Sequence, residues 1–215
     1  MNVASDIHTI RRAVSAPWFD AVWSLNLLAV RHPRALAPDR PAGVFIDRLC
    51  WAVRVPCGSS TVELGFVSRA TTTPTKHWLV APLNPDGTAI VEPGHYPLSH
   101  APGLHHGRSA LVQCGDLRIR RDGDRDGFAE PYGPVLLAPA SCKLNSHDAV
   151  GKDAADYASA GCLVLESTAH KDTLVSAVKQ QASFGLGAKV SLTLVDAGTL
   201  HGDALAAATR LLEMG

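Results

Sequence analysis

The sequence is short of charge, of long apolar runs and of paired cysteines. Only 19% of its 215 residues are charged, and 20 basic residues are matched by 20 acidic ones. That balance argues against the basic footprint of a nucleic-acid binder and against an acidic disordered tail, so no nucleic-acid partner is expected. The longest apolar candidate, Phe19 to Val30, is broken by Asp20, Ser24 and Asn26. It falls short of the roughly 18 apolar residues that a bilayer span needs, so no membrane span is expected. Asp6, His8, Arg11 and Arg12 precede any apolar run, which is not the pattern of a secretory leader. The expectation is a protein made in the cytoplasm without a signal peptide. Cys50, Cys57, Cys114, Cys142 and Cys162 form no C-x-x-C pair, which leaves a thiolate zinc site without support.

What remains is a chain that can fold. Hydrophobic residues make up 46% of it, enough for a substantial core in one domain. The 18 glycines and 14 prolines favour a turn-rich domain over a helical bundle. Ser5 to Val14 reads as a helix capped by Asp6, with Ile7, Ile10 and Val14 on one face. Trp18 to Val30 is apolar throughout and fits helix or buried strand, and His32 to Pro41 reads as a loop. Leu49, Trp51, Val53 and Val55 alternate, as do Val62, Leu64 and Phe66. These predict two strands joined across Cys57 to Ser60. Cys50 and Cys57, seven residues apart on an extended strand, would lie roughly 23 Å apart, beyond disulfide reach.

A short strand is expected around Ala89 to Val91. Ser109 to Gln113 and Leu117 to Arg120 read as strands turning at Gly115-Asp116, a hairpin signal. Lys171 to Ser183 carries Leu174, Val178 and Ala182 on one helical face. Val190, Leu192 and Leu194 give another strand, and Asp203 to Met214 a terminal helix. The sum is α+β or sandwich-like, with helices flanking short strands.

Three constellations could carry chemistry. In the first, Asn145-Ser146-His147 is followed after 14 residues by Cys162 within Ser159-Ala160-Gly161-Cys162. A thiol attacks a carbonyl carbon if an imidazole takes its proton and later returns it to the leaving amine. A glycine before the cysteine lets substrate approach the backbone, whose N–H groups can hold the oxyanion. A core cysteine preceding a Leu163-Val164-Leu165 strand accounts for the same residues. The second is His95, His100, His105 and His106. Without H-E-x-x-H or a third ligand at set spacing, a histidine-bearing loop explains it better than a metal site. The third, Asp122-Gly-Asp124-Arg-Asp126-Gly127, opens like a calcium loop. It has Gly133 at the twelfth position, and an Asp/Gly turn explains it better. No metal and no cofactor are expected.

Several collinear segments resemble a family of bacterial and phage proteins whose active-site motif is similar to that of the L,D-transpeptidases (the YkuD-like fold). These are Ser24 to Arg31, Thr72-Thr-Pro74, Leu83 to Ile90, Pro93-Gly-His-Tyr96, Gly103 to Arg108, Ala110 to Gln113, Arg121-Asp122, Asn145-Ser-His147 and Ser159-Ala-Gly-Cys162. They span residues 24 to 195. The resemblance implies a β-rich catalytic domain over 24–215 behind an N-terminal helical extension, 1–23. It implies a cysteine peptidase or transpeptidase acting on peptidoglycan stem peptides through an acyl-thioester, with Cys162 the nucleophile and His147 the base. Gly161 and the Cys162 amide would serve the oxyanion, and Ser159 would brace the turn. His105 matches the cleft-lining histidine of the family. With His106, Arg108, Lys143 and Asn145 it forms the expected substrate-binding set, Arg108 and Lys143 supplying positive charge for a carboxylate-bearing peptide.

Where the family commonly has Arg, Trp and Gln, this chain has Asp148, Tyr157 and Leu163, and Ala160 replaces the second histidine of S-H-G-C. A leaderless wall enzyme needs another route to its substrate. The expected contexts are phage lysis and delivery as an antibacterial effector, the latter with a secretion-system carrier and an immunity protein as partners. The alternative is an inactive wall- or partner-binding module of the same fold.

Overall fold

The computed structural model describes residues 2–37, 45–149 and 157–214. The part of the expected loop from 38 to 41 lies outside them. The protein is mixed α and β. Eight strands close a barrel, and three more form a small second sheet. In chain order the strands are β1 (Leu25–Arg31), β2 (Asp47–Cys57), β3 (Ser60–Thr71), β4 (Thr88–Val91), β5 (Gly94–His105), β6 (Arg108–Gln113), β7 (Leu117–Asp122), β8 (Tyr132–Ala138), β9 (Ser146–Asp148), β10 (Leu163–Leu165) and β11 (Val190–Asp196). The helices are α1 (Val3–Ala13), α2 (Lys76–Val80), α3 (Thr168–Ser183) and α4 (Gly202–Glu213). Around the barrel the order is β1-β11-β5-β6-β9-β10-β3-β2; the second sheet runs β4-β7-β8. The β layer therefore closes on itself rather than stacking as a sandwich.

Burial explains which strands form. β1 is buried on both faces. Leu25, Leu27 and Ala29 face one core with Leu49, Trp51, Val53, Leu192 and Leu194. Leu28 and Val30 face a second core with Ala4, Ile7, Ile10, Ala204, Ala207 and Leu211. The N-terminal helix thus packs with α4 across the outside of β1 and β2. Leu174, Val175 and Val178 of α3 join the first core. The β2–β3 hairpin forms as expected, Cys57 opposite Ser60, with Gly58 at φ +59° in its turn. Among the described residues all five cysteines are free thiols.

Three expectations need correction. Asp6 does not cap α1. Asn2 does, its Oδ1 accepting the Ser5 N–H at 3.2 Å, while Asp6 lies inside the helix and pairs with Arg210 at 2.6 Å. β6 and β7 do not form a hairpin: β6 pairs with β5 and β9, and β7 with β4 and β8. The Cys114 and Gly115 N–H groups both donate to the Ser99 carbonyl (2.7 and 3.1 Å), which carries the chain off the barrel into the second sheet. The stretch from His95 to His105 is not a loop but the greater part of β5, despite Pro97 and Pro102. Leu98 at φ +47° and a register shift against β11 absorb the irregularity.

Asp122 to Gly127 makes turn chemistry, as expected. Asp124 Oδ1 accepts the Asp126 N–H and Asp126 Oδ1 accepts the Phe128 N–H, two Asx turns in series. Among the described residues no group of three or more His, Cys, Asp or Glu is arranged to hold a metal ion. No described helix is long and apolar enough to cross a membrane.

Candidate active site

The site is assembled by the two shortest strands of the barrel. β9 and β10 run parallel, with Leu163 opposite Ser146 and Val164 opposite His147. Directly paired residues share a face, and faces alternate along a strand. His147 and Cys162 therefore project to the same side, one position apart along the ladder. Both line a cavity of about 630 Å³. Its other walls include His105, His106, Arg108, Lys143, Asp148, Trp78, Leu83 and Tyr157. The β5–β6 hairpin delivers the first three: His105 pairs with Arg108 across a His106-Gly107 turn with both residues at positive φ, as such a two-residue turn requires.

The loop before Cys162 is held from below. Ser159 is fully buried. Its hydroxyl donates to the Cys162 carbonyl at 2.8 Å and accepts the Gly161 N–H at 3.2 Å. Its own carbonyl accepts the Thr75 N–H at 2.8 Å and the Thr75 hydroxyl at 3.2 Å. Trp78 of α2 adds Nε1–H to the Tyr157 carbonyl at 3.0 Å. Ser159 is thus a brace rather than a wall of the cavity. The Gly161 N–H is occupied by Ser159, which leaves the Cys162 N–H as the oxyanion donor of the expected pair. Gly161 serves a different need: its φ is +115°, and a Cβ there would meet the Ala89 carbonyl oxygen at 2.7 Å.

The protonation pattern follows from the partners. His147 Nδ1 lies 3.0 Å from the Asp148 carbonyl. A carbonyl only accepts, so Nδ1 carries the proton and Nε2 presents a lone pair. Nε2 is buried and has no hydrogen-bond partner among the described residues. Burial holds the His147 imidazole below its ordinary pKa, with the Asp148 carbonyl and carboxylate acting against this. Cys162 is buried, and burial pushes its thiol up to about 11, with the Asn145 N–H pulling the other way. In the resting protein the thiol donates to the Lys143 carbonyl at 3.5 Å. The pair is therefore a neutral thiol beside a neutral imidazole.

Asp148, the residue after the base, is buried and accepts from Arg108 Nη2 at 2.7 Å and the Thr168 hydroxyl at 2.6 Å. Burial alone would raise its carboxyl. The Thr168 and Arg108 hydrogen bonds outweigh that and hold it below the usual range. The Arg108 side chain remains 47% exposed, which leaves it donors for a ligand. Arg108 and Lys143 both line the cavity that Cys162 lines, so the two cations singled out in the sequence converge there. Asn145 does not line it; that side chain bonds to His105 and Gln113 behind the wall. His95 lies apart, bonded to Thr193 at 3.0 Å. Trp78, Leu83 and the Gln113 bridge were not legible in the sequence. Trp78 sits in a helix of only five residues, too short to announce itself by periodicity.

His100 is structural. It is fully buried, Nε2 donating to the Leu144 carbonyl at 3.2 Å and Nδ1 facing the Ser99 hydroxyl at 2.9 Å. It therefore anchors the strand that leads to Asn145 and His147. Burial lowers its pKa to about 4, the Leu144 hydrogen bond opposing. Between about pH 6.5 and 4 the unfolded chain binds a proton that the folded one refuses, so stability falls as pH falls through that window. The loss is on the order of 3 kcal/mol at pH 4 for this group. Urea melts across that range should show His100→Gln with a shallower acid slope than the wild type. Equal slopes would mean that another group sets the acid limb.

No protein-family model, curated protein or solved structure matches this chain.

Proposed function

We propose that this protein is a cysteine enzyme of the L,D-transpeptidase-like type that cleaves or exchanges an amide bond in the stem peptide of peptidoglycan. The observation that carries the reading is the unpartnered, buried Nε2 of His147 in the cavity that holds the Cys162 thiol. A buried polar atom without a partner costs stability, and a proton-transfer role explains why it is kept. On substrate arrival the Cys162 proton passes to His147 Nε2 as sulfur attacks the carbonyl carbon. The C–N bond then breaks, and the His147 proton goes to the leaving amine. Water or an acceptor amine attacks the thioester, transfers its own proton to His147 and restores the thiol. The charge that forms on the carbonyl oxygen falls to the Cys162 N–H. Arg108 and Lys143 supply the positive rim that a carboxylate-rich stem peptide requires, while Trp78, Leu83 and Tyr157 give the opposite wall an apolar surface. The wall is reached by phage lysis or specialised secretion, with a carrier and an immunity protein as partners in the second case.

A second reading has its own observation. The Cys162 thiol is nearly inaccessible and raised in pKa, the state of a packed cysteine in a non-catalytic, wall-binding module. Purified muropeptides, products read by mass, separate the two. The enzyme yields a shortened stem or an amine-exchanged product. If no muropeptide is altered and Cys162 is alkylated no faster than exposed Cys142, the binding module is the better account.

A further inference from the structure

Asn145 is fixed from three directions. Its Oδ1 accepts the Gln113 N–H of β6 at 2.9 Å, and its Nδ2 donates to His105 Nδ1 at 2.9 Å. Its carbonyl accepts the Leu163 N–H at 2.9 Å, one residue from the nucleophile. An amide NH₂ only donates, so His105 Nδ1 accepts and the His105 ring is neutral with its proton on Nε2. That tethered ring lies nearly parallel on His147, centroids 4.1 Å apart and planes 20° from parallel. The far side of His105 is met edge-on by His106 at 4.3 Å.

Packing alone demands neither the tether nor the parallel overlap. Two neutral imidazoles gain little by stacking. Once His147 takes the Cys162 proton, however, a cation lies against a neutral π face from which water is excluded. We propose that His105, held by Asn145, is a positioning residue for the base. It fixes the plane of the His147 ring opposite Cys162 and stabilises the imidazolium that forms during acyl transfer. This gives Asn145 and His105 a role other than the substrate contact expected from sequence, and it rests on the cysteine-and-base reading above. Burial, followed by the neighbouring His147, His106 and Lys143, lowers the His105 pKa to about 4 against the pull of Asp148. His105 therefore stays neutral while its neighbour is charged. The other groups around His147 are Asp148, which favours the cation, and His106, which opposes it. Arg108 and Lys143 lie on the cavity wall, and Lys171 acts on Asp148 from α3.

The test reads the thiol directly and needs no substrate. Iodoacetamide alkylation of Cys162 is followed from pH 5 to 10 by mass, with folding checked by circular dichroism, in wild type, His147→Ala, His105→Ala, Asn145→Ala and His105→Phe. His105→Ala and Asn145→Ala should alkylate about 10-fold more slowly at pH 7, with the midpoint moved to higher pH, because a less stable imidazolium supports less thiolate. His105→Phe, which keeps the flat face, should recover most of the rate. A merely structural histidine would not shift the midpoint of molecules that remain folded. If His147→Ala is slow but His105→Ala and Asn145→Ala match wild type in rate and midpoint, the inference is overturned while the base assignment stands. If His147→Ala itself alkylates like wild type, the base reading falls and this inference with it. If alkylation behaves as expected but muropeptides are inert, only the substrate reading fails.

Discussion

Cys162→Ala is expected to lower muropeptide turnover by at least about 10³-fold while moving the thermal midpoint by no more than a few degrees. The two halves of this result have different origins. Turnover depends on a covalent bond that alanine cannot form, and residual activity would come only from binding and the oxyanion donor. Stability depends on a small buried group: removing one sulfur atom from a side chain that is already 7% exposed leaves a void worth about 1 kcal/mol. The single hydrogen bond lost is the long thiol contact to the Lys143 carbonyl. The experiment is steady-state turnover by mass beside a thermal melt of the same preparations. Full turnover in the variant would place the nucleophile elsewhere, and Cys142, exposed on the same cavity, would be the first alternative to replace.

What the sequence made legible follows from where water lies. The β2–β3 hairpin could be read because the outer halves of both strands are exposed and alternation survives wherever one face is wet. β1 could not, since both its faces are buried, one against the barrel interior and one against α1 and α4. A strand with two dry faces has no alternation to display and resembles a buried helix segment. β5 was hidden by Pro97 and Pro102, ordinarily breakers, and β8 by its exposure and by Gly133 and Pro134. At the site, Cys162 and His147 stood out because small residues crowd a turn beside a nucleophile. The support for them was silent. The Asn145 bonds reach His105 and Gln113 over 40 and 32 residues, and only the closure of the barrel brings those residues together. Ser159 was correctly expected to brace the turn, yet its anchor at Thr75 lies 84 residues away. The functional atoms of such a site are local in sequence; the groups that fix their orientation are not.

The glycine beside the nucleophile should be the least replaceable residue of that turn. Gly161→Ala is expected to cost about 2–5 kcal/mol of stability and to reduce turnover by roughly 10²-fold. Two penalties add. At φ +115° an L side chain is strained, worth about 1–3 kcal/mol. The new Cβ would also lie 2.7 Å from the Ala89 carbonyl oxygen and 2.9 Å from Leu144 Cδ2, an overpacking cost of about 1–3 kcal/mol. Leu144 can swing away, but Ala89 belongs to β4, whose backbone is paired with β7, so relief must come from the Cys162 loop itself. That loop would move its sulfur relative to His147, and displacement on the order of 1 Å is enough to lose about 10² in rate. A fitting control is Gly58→Ala, at φ +59° in the β2–β3 turn with nothing within 4 Å of the added carbon. It should show only the conformational cost, about 1–2 kcal/mol, with turnover unchanged. Adding Leu144→Ala to Gly161→Ala should not restore activity, because the carbonyl contact persists. Urea melts and turnover of these variants decide the matter: a Gly161→Ala protein as stable and as active as wild type would show that the nucleophile loop does not depend on this backbone conformation.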